Sequence, residues 1–382
     1  MHRKKPAFHI ACAAVLAASA SAAVAQSVTE FPIPTAGSAP RGITSGPDGN
    51  VWFTELNSSQ VARLTPAGII TEFPLPAAHS GPIGIVAGAD GHLWVAEFDG
   101  KRLARVSTNG EVLEFGPTTG TPFFITAGAD DNLWFSELNA NMIGRITPAG
   151  VITEFPIPTA DSQPIGITRG PDGNVWFAEF GAARIGRMTP QGTVREFSTP
   201  TADSGPRAIA TGGDGNLWFT EELANQIGRI TPAGAITEFP IPSAESHPRS
   251  LVAADGALWF TEFVGNQIGR AAADGTVVES GGLTEGSGPI DITMGTDGNL
   301  WFTEGPANRI GRLAPSAARC VGDCDGSGDV TIDELLLMVN VALGDIAVGA
   351  CDAGDSNRDG QITVDEMLIA VNNVLGGCQG SN

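Results

Sequence analysis

Lysine is almost missing. The 382 residues hold only Lys4, Lys5 and Lys101, in a chain whose formal charge is −21. So little cationic surface excludes a nucleic-acid backbone or an anionic membrane as partner, because both are held by positive charge. No stretch reaches the ~18 consecutive apolar residues that would cross a bilayer, so no membrane span is expected. Histidine is nearly as scarce: beyond residue 26 only His79, His92 and His247 remain. Cysteine is absent from 27 to 319.

The first 26 residues read as a targeting segment. His2-Arg3-Lys4-Lys5 is basic, Ile10 to Ala20 is apolar, and Ala23-Val24-Ala25 is a small-residue cleavage site. Cleavage there would deliver a secreted or periplasmic protein. Removing Cys12 leaves Cys320, Cys324, Cys351 and Cys378, an even set that suits two disulfides in an oxidising compartment. Three connectivities remain open. Zinc is the competing use of four cysteines, disfavoured by acidic neighbours and the lack of histidine in this region.

What the chain does have is a ruler. Its seven tryptophans stand at 52, 94, 134, 176, 218, 259 and 301, forty to forty-two residues apart. That period, filled with short strands and turns, predicts a seven-bladed β-propeller. We expect an all-β domain over 27–315, a linker at 316–319, and a small α-helical calcium-binding domain over 320–382.

In the first unit, Arg41-Gly42-Ile43-Thr44 leads to the Pro47-Asp48-Gly49-Asn50 turn, whose Asp-Gly step supplies positive φ. Val51 to Glu55 is a second strand, apolar on both faces. Val61 to Leu64 is a third, and Ile69 to Pro74 an outer fourth. After Leu313 the fourth strand is missing, while an orphan copy lies at Val28–Pro34. The N-terminal strand should therefore complete blade seven and close the ring. Each unit also has Glu three residues after its Trp and Arg eight residues later, from Glu55/Arg63 to Glu304/Arg312. Seven repetitions argue for a structural cross-strand pair.

Ligand chemistry is expected where the repeats disagree. The residue after the proline that opens each inner strand reads Arg41, Ile83, Phe123, Ile165, Arg207, Arg249 and Ile290. Arg41, Arg207 and Arg249 beside Asp291 would form a cationic rim able to grip carboxylates or phosphates, with Phe123 and Phe124 as an aromatic surface. A small molecule, peptide or glycan could sit there, on a monomeric protein.

The segments Gly-Pro-Asp-Gly-Asn-Val-Trp-Phe-Thr-Glu (46–55) and Asn-Gln-Ile-Gly-Arg-Ile-Thr-Pro-Ala-Gly-Ala-Ile-Thr-Glu-Phe-Pro-Ile-Pro (225–242) resemble the streptogramin B, or virginiamycin B, lyases. The resemblance covers residues 27–315. It implies a seven-bladed propeller that opens a cyclic depsipeptide by Mg²⁺-assisted elimination. It also implies histidine in Pro-His-x-Ile segments on two late blades, with a nearby glutamate holding the metal. Here those segments read Pro206-Arg207-Ala208-Ile209, Pro248-Arg249-Ser250-Leu251 and Pro289-Ile290-Asp291-Ile292. His247 precedes its proline instead of following it. His247, Glu262 and Glu304 are the residues left as candidates for an eliminating site.

The tail carries the sharpest motif. Residues 323–334 and 355–366 each fit a twelve-residue EF-hand loop, with oxygen ligands at positions 1, 3, 5 and 9, glycine at 6 and glutamate at 12. The candidate Ca²⁺ ligands are Asp323, Asp325, Ser327, Asp329, Thr331 and Glu334, then Asp355, Asn357, Asp359, Gln361, Thr363 and Glu366. Helices should follow over Ile332–Leu343 and Val364–Leu375. Loop-then-helix in duplicate resembles dockerin modules, which implies a cohesin-like protein partner and contacts at Ile332, Asp333, Val364 and Asp365. The four cysteines and terminal glutamates depart from that pattern. The favoured reading is an exported recognition propeller with a calcium-dependent attachment or stability module. The second is a Mg²⁺-dependent carbon–oxygen lyase, and the third a purely structural surface protein.

Overall fold

The computed structural model describes residues 28–280, 282–314, 321–324, 330–351, 353–355 and 361–376. The targeting segment, the linker, Cys320 and Cys378 lie outside these residues. Seven four-stranded antiparallel sheets form the first domain. Each inner strand touches the inner strands of both neighbouring blades, and blade 7 touches blade 1, so the sheets form a closed ring. Blade 1 consists of Pro40–Ser45, Val51–Glu55, Gln60–Leu64 and Ile70–Pro74.

Closure is by the N-terminal strand. Val28–Pro32 pairs with Arg309–Leu313, Val28 opposite Leu313 and Pro32 opposite Arg309. Its Phe31 stacks on Trp301 at 5.5 Å between centroids. Covering the edge of blade 7 in this way gives it the same four strands as the other blades and joins the two ends of the ring.

The motif words have local reasons. In the Asp-Gly-Asn-x-Trp hairpin, the Asp48 carboxylate accepts from the backbone and side chain of Asn50 and from Trp52 Nε1 at 3.0 Å. The tryptophan thus buries its ring without stranding its N–H. All seven tryptophan rings are at most 1% exposed and sit between blades. The two irregular spacings also resolve. The connector after Phe115 is short, and blade 6 replaces the longer hairpin by the two-residue turn Asp255-Gly256, both at positive φ.

The expected Glu–Arg pairs do not form. Opposite positions in blade 1 are Trp52 with Arg63 and Glu55 with Gln60. Arg63 is therefore three residues from the partner of Glu55, and an odd offset puts it on the other face of the sheet. Its guanidinium instead lies between Trp52 and Phe73, 5.9 and 5.8 Å from their centroids, and Nη1 donates to the Thr108 carbonyl of blade 2. Arg105, Arg145, Arg187, Arg229 and Arg312 reach the next blade's carbonyls in the same way. Cation–π contacts within its own blade hold each guanidinium in place, and its hydrogen bond staples that blade to the next.

A second seam runs nearer the axis. Thr54 Oγ1 accepts from Gly42 N–H and donates to the Ile83 carbonyl of blade 2. Ser136, Thr220, Thr261 and Thr303 repeat the stitch, whereas Ala96 and Ala178 lack the hydroxyl.

The C-terminal part contains α1 (Ile332–Ala342) and α2 (Val364–Gly376) around Val330, Met338, Val341, Cys351, Ile362 and Ala370. α1 stops one residue short of the expected Leu343, which is its C-cap before Gly344 at φ 82°, while α2 runs one residue further than expected, through Gly376. Cys324 and Cys351 form a disulfide with Cα atoms 4.5 Å apart. That bond selects one of the three connectivities.

Candidate functional site

The inner strands all begin at the same rim, and there the repeats diverge chemically. Arg207 Nη1 lies 2.9 Å from Glu222 Oε2, and Arg249 Nε lies 3.3 Å from Glu222 Oε1. One carboxylate from blade 5 therefore holds guanidiniums from blades 5 and 6. The Arg249 guanidinium also stacks on Phe263, 3.4 Å from its centroid. His247 Nδ1 is 4.0 Å from Glu222 Oε1, so the structure brings this histidine to the same cluster. Burial, with Arg207 and Arg41 nearby, pushes Arg249 down to about 10 despite Glu222. Burial and Arg207 also lower Arg41.

Asp291 is committed to the scaffold on both oxygens. Oδ2 accepts from Ile43 N–H of blade 1 at 2.9 Å, and Oδ1 from Ser250 Oγ of blade 6 and its own chain at Ile292. Desolvation pushes its carboxyl up to about 6 against those donors. Phe123 packs edge-on against Phe98 at 5.7 Å and beside Phe124 at 5.3 Å. The mouth thus has an aromatic sector on blades 2 and 3 and a charged sector on blades 5, 6 and 1.

Glu222, Phe98 and Phe263 were missed by the sequence reading. They occupy one repeat position, following the buried glutamate: Leu56, Phe98, Leu138, Phe180, Glu222, Phe263 and Gly305. The doubled Glu221-Glu222 is the signal that could have found them.

Glu262 and Glu304 do not reach the mouth. With Glu55, Glu97, Glu137, Glu179 and Glu221 they form a ring of glutamates at 0% exposure inside the blades. Each faces a second glutamate on its outer strand, for example Glu179 with Glu196 and Glu304 with Glu30. Burial, aided by that like charge, pushes Glu55, Glu97 and Glu304 up to about 7 and Glu137, Glu179, Glu221 and Glu262 to about 8. The outer glutamates tie down the connectors: Thr35 donates through N and Oγ1 to Glu72, and Thr201 does the same to Glu238. His92 sits in the hairpin turn against Asp90, and His79 is exposed in a connector.

Residues 17–254 and 168–319 match the profile of the virginiamycin B lyase family, and together these spans exceed half the chain. The chain belongs to the virginiamycin B lyase family. A streptogramin B lyase structure is 36% identical, covering 75% of this chain and 97% of that one, with a TM-score of 0.72. Virginiamycin B lyase from Staphylococcus aureus is 35% identical over 76% of this chain and 99% of its own, with a TM-score of 0.73. A catalytically inactive histidine-to-alanine variant of that enzyme, with quinupristin, matches equally well. A curated virginiamycin B lyase from Saccharopolyspora erythraea is 46% identical over 41 residues, 11% of this chain and 14% of that enzyme. That match spans about one repeat.

The magnesium implied by the family resemblance does not fit this mouth. Both oxygens of Glu222 are held by guanidiniums, both of Asp291 by donors, and the surrounding charge is cationic. In the C-terminal part the donor set is different. Glu334 turns back over its loop, Oε1 accepting from Cys324 N–H and Oε2 from Thr331 N–H, in a capping box with Thr331. Glu366 Oε2 accepts from Thr363 N–H in the same register. Asp323, Glu334 and Glu366 are buried. Both glutamates thus reach back to the backbone just ahead of the helices they open. Asp325, Ser327, Asp329, Asn357 and Asp359 lie outside the described residues. Among the described residues no three metal-ligating side chains converge.

Proposed function

We propose that the propeller is a ligand-recognition domain that holds a small molecule, peptide or glycan at the channel mouth without breaking it. One observation carries the reading. The three late-blade segments read Arg207, Arg249 and Ile290 where the family resemblance implies histidine, and both arginines close on Glu222. A guanidinium stays protonated and cannot accept a proton as general base. It is well suited to hold an anion. The test is incubation with quinupristin and Mg²⁺, followed by chromatographic separation, because elimination opens the ring without changing mass. Recognition predicts no new species.

The second reading is a divergent lyase, and the contact between His247 and Glu222 favours it. His247 would take the proton and Glu222 would orient the imidazole. A ring-opened, unsaturated product that vanishes in His247→Ala would establish that reading and end the first.

For the C-terminal part we propose a calcium-stabilised attachment module. Asp323, Asp325, Ser327, Asp329, Thr331 and Glu334 would hold one ion, and Asp355, Asn357, Asp359, Gln361, Thr363 and Glu366 the other. Bound calcium neutralises the crowded carboxylates and cross-links each loop. Exposed apolar side chains at matching positions, Ile332, Leu336 and Val339 on α1 and Val364, Leu368 and Val371 on α2, support docking to a cohesin-like protein. The disulfide and the n-region pattern support export. Among the described residues no helix is long and apolar enough to cross a membrane.

A further inference from the structure

We propose that the mouth selects a carboxylate-bearing amphiphile. Its anionic group pairs with Arg41, its apolar body lies on Phe98 and Phe123, and Glu222 is the internal anion it displaces from Arg207 and Arg249. This deepens the recognition reading and rests on it.

The charge arrangement points there first. Three half-buried guanidiniums, Arg41, Arg207 and Arg249, gather at one rim. Arg207 and Arg249 share a single carboxylate, and among the described residues the Arg41 guanidinium has no ion pair or hydrogen bond. Asp291 cannot serve it, since its oxygens are spent on Ser250 and two backbone amides. A half-desolvated cation without a counter-ion is unfavourable until an anion arrives. The lowered pKa values of Arg41 and Arg249 report the same crowding.

Glu222 gives the second line. It is the one acidic residue at a repeat position otherwise occupied by Leu56, Phe98, Leu138, Phe180, Phe263 and Gly305. Bridging two arginines from different blades, it fills the space a ligand carboxylate would take. Stacking on Phe263 keeps the Arg249 fork oriented while the anions exchange. The aromatic sector gives the third line, because Phe98 and Phe123 offer an apolar wall beside the cations.

The probe is 3-phenylpropionate, with 3-phenylpropionamide as its uncharged counterpart, titrated into the full-length protein at low salt. The acid should bind, and the amide about tenfold or more weaker, as expected for a lost charge-assisted pair. Arg41→Gln should lose the acid by a similar factor, Arg41→Lys should lose less, and Glu222→Gln should bind more tightly than wild type. Melting curves confirm that each variant is folded. Equal affinity for acid and amide, no binding of the acid at millimolar concentration, or weaker binding by Glu222→Gln would each overturn the proposal. If acid and amide bind equally, Phe123→Ala weakens both and Arg41→Gln weakens neither, recognition survives and the anion assignment fails. Turnover of quinupristin would instead remove the recognition reading itself.

Discussion

Raising the pH from 5 to 8.5 should destabilise this propeller, and replacing a single buried glutamate should blunt the loss. Glu179 serves best, because it is at 0% exposure and both its oxygens lack a hydrogen-bond partner among the described residues. Burial raises its pKa, the Glu196 carboxylate adds to the rise, and Arg184 opposes it, leaving the group at about 8 against an ordinary 4.5. Between those values the folded chain binds the proton and the unfolded chain does not. The stability is fully present below about 4.5 and is lost as pH climbs through about 8. A rise from 4.5 to about 8 corresponds to ~5 kcal/mol for one group. Seven such groups would exceed the 5–15 kcal/mol typical of a domain, so water entry and proton sharing within each pair must reduce the total. The difference between variants is therefore the quantity to measure. Glu179→Gln keeps the shape and cannot ionise. Denaturant midpoints at pH 5 should agree within about 1 kcal/mol, and at pH 8.5 the variant should be more stable by about 2–4 kcal/mol. A wild type whose stability is flat or rises from pH 5 to 8.5 would refute this, as would a variant equally destabilised at both.

Two further outcomes follow from the same contacts. Deleting residues 28–32 removes the closing strand, the Phe31–Trp301 stack and the Glu30 contacts to Thr284 and Arg309. The loss should be about 5 kcal/mol or more, a fall of roughly 10 °C in Tm, and an unchanged single transition would contradict closure. Calcium at 100 times its dissociation constant should stabilise the C-terminal module by about 2.7 kcal/mol per site. Glu334→Gln with Glu366→Gln should abolish that gain in a calcium titration followed by melting, and a gain that persists would rule out these loops as the site.

Much of the scaffold was legible because it repeats. Tryptophan spacing counted the blades, and the orphan Val28–Pro34 copy told where the ring closes, since only one strand was missing and only one was spare. Register was not legible. A Glu–Arg spacing of eight fits a cross-strand pair for one turn centre, but the hairpin actually centres between Asn57 and Ser58, which sends Arg63 to the Trp52 face. The turn position depends on backbone geometry that residue spacing does not encode. The mouth was half legible. Arg41, Arg207 and Arg249 stood out as departures from the repeat, whereas Glu222 was hidden beside the invariant Glu221 position. Its pairing with two blades appears only once the ring is closed.

The most direct measurement follows the arginine side chains themselves. In protein labelled with ¹⁵N-arginine, 3-phenylpropionate should move the Nε–Hε signals of Arg41, Arg207 and Arg249. Those of the blade staples Arg63, Arg105, Arg145, Arg187, Arg229 and Arg312 should stay in place. Signals of the mouth arginines that remain fixed, or shifts spread over the staples, would contradict a ligand site at the channel mouth.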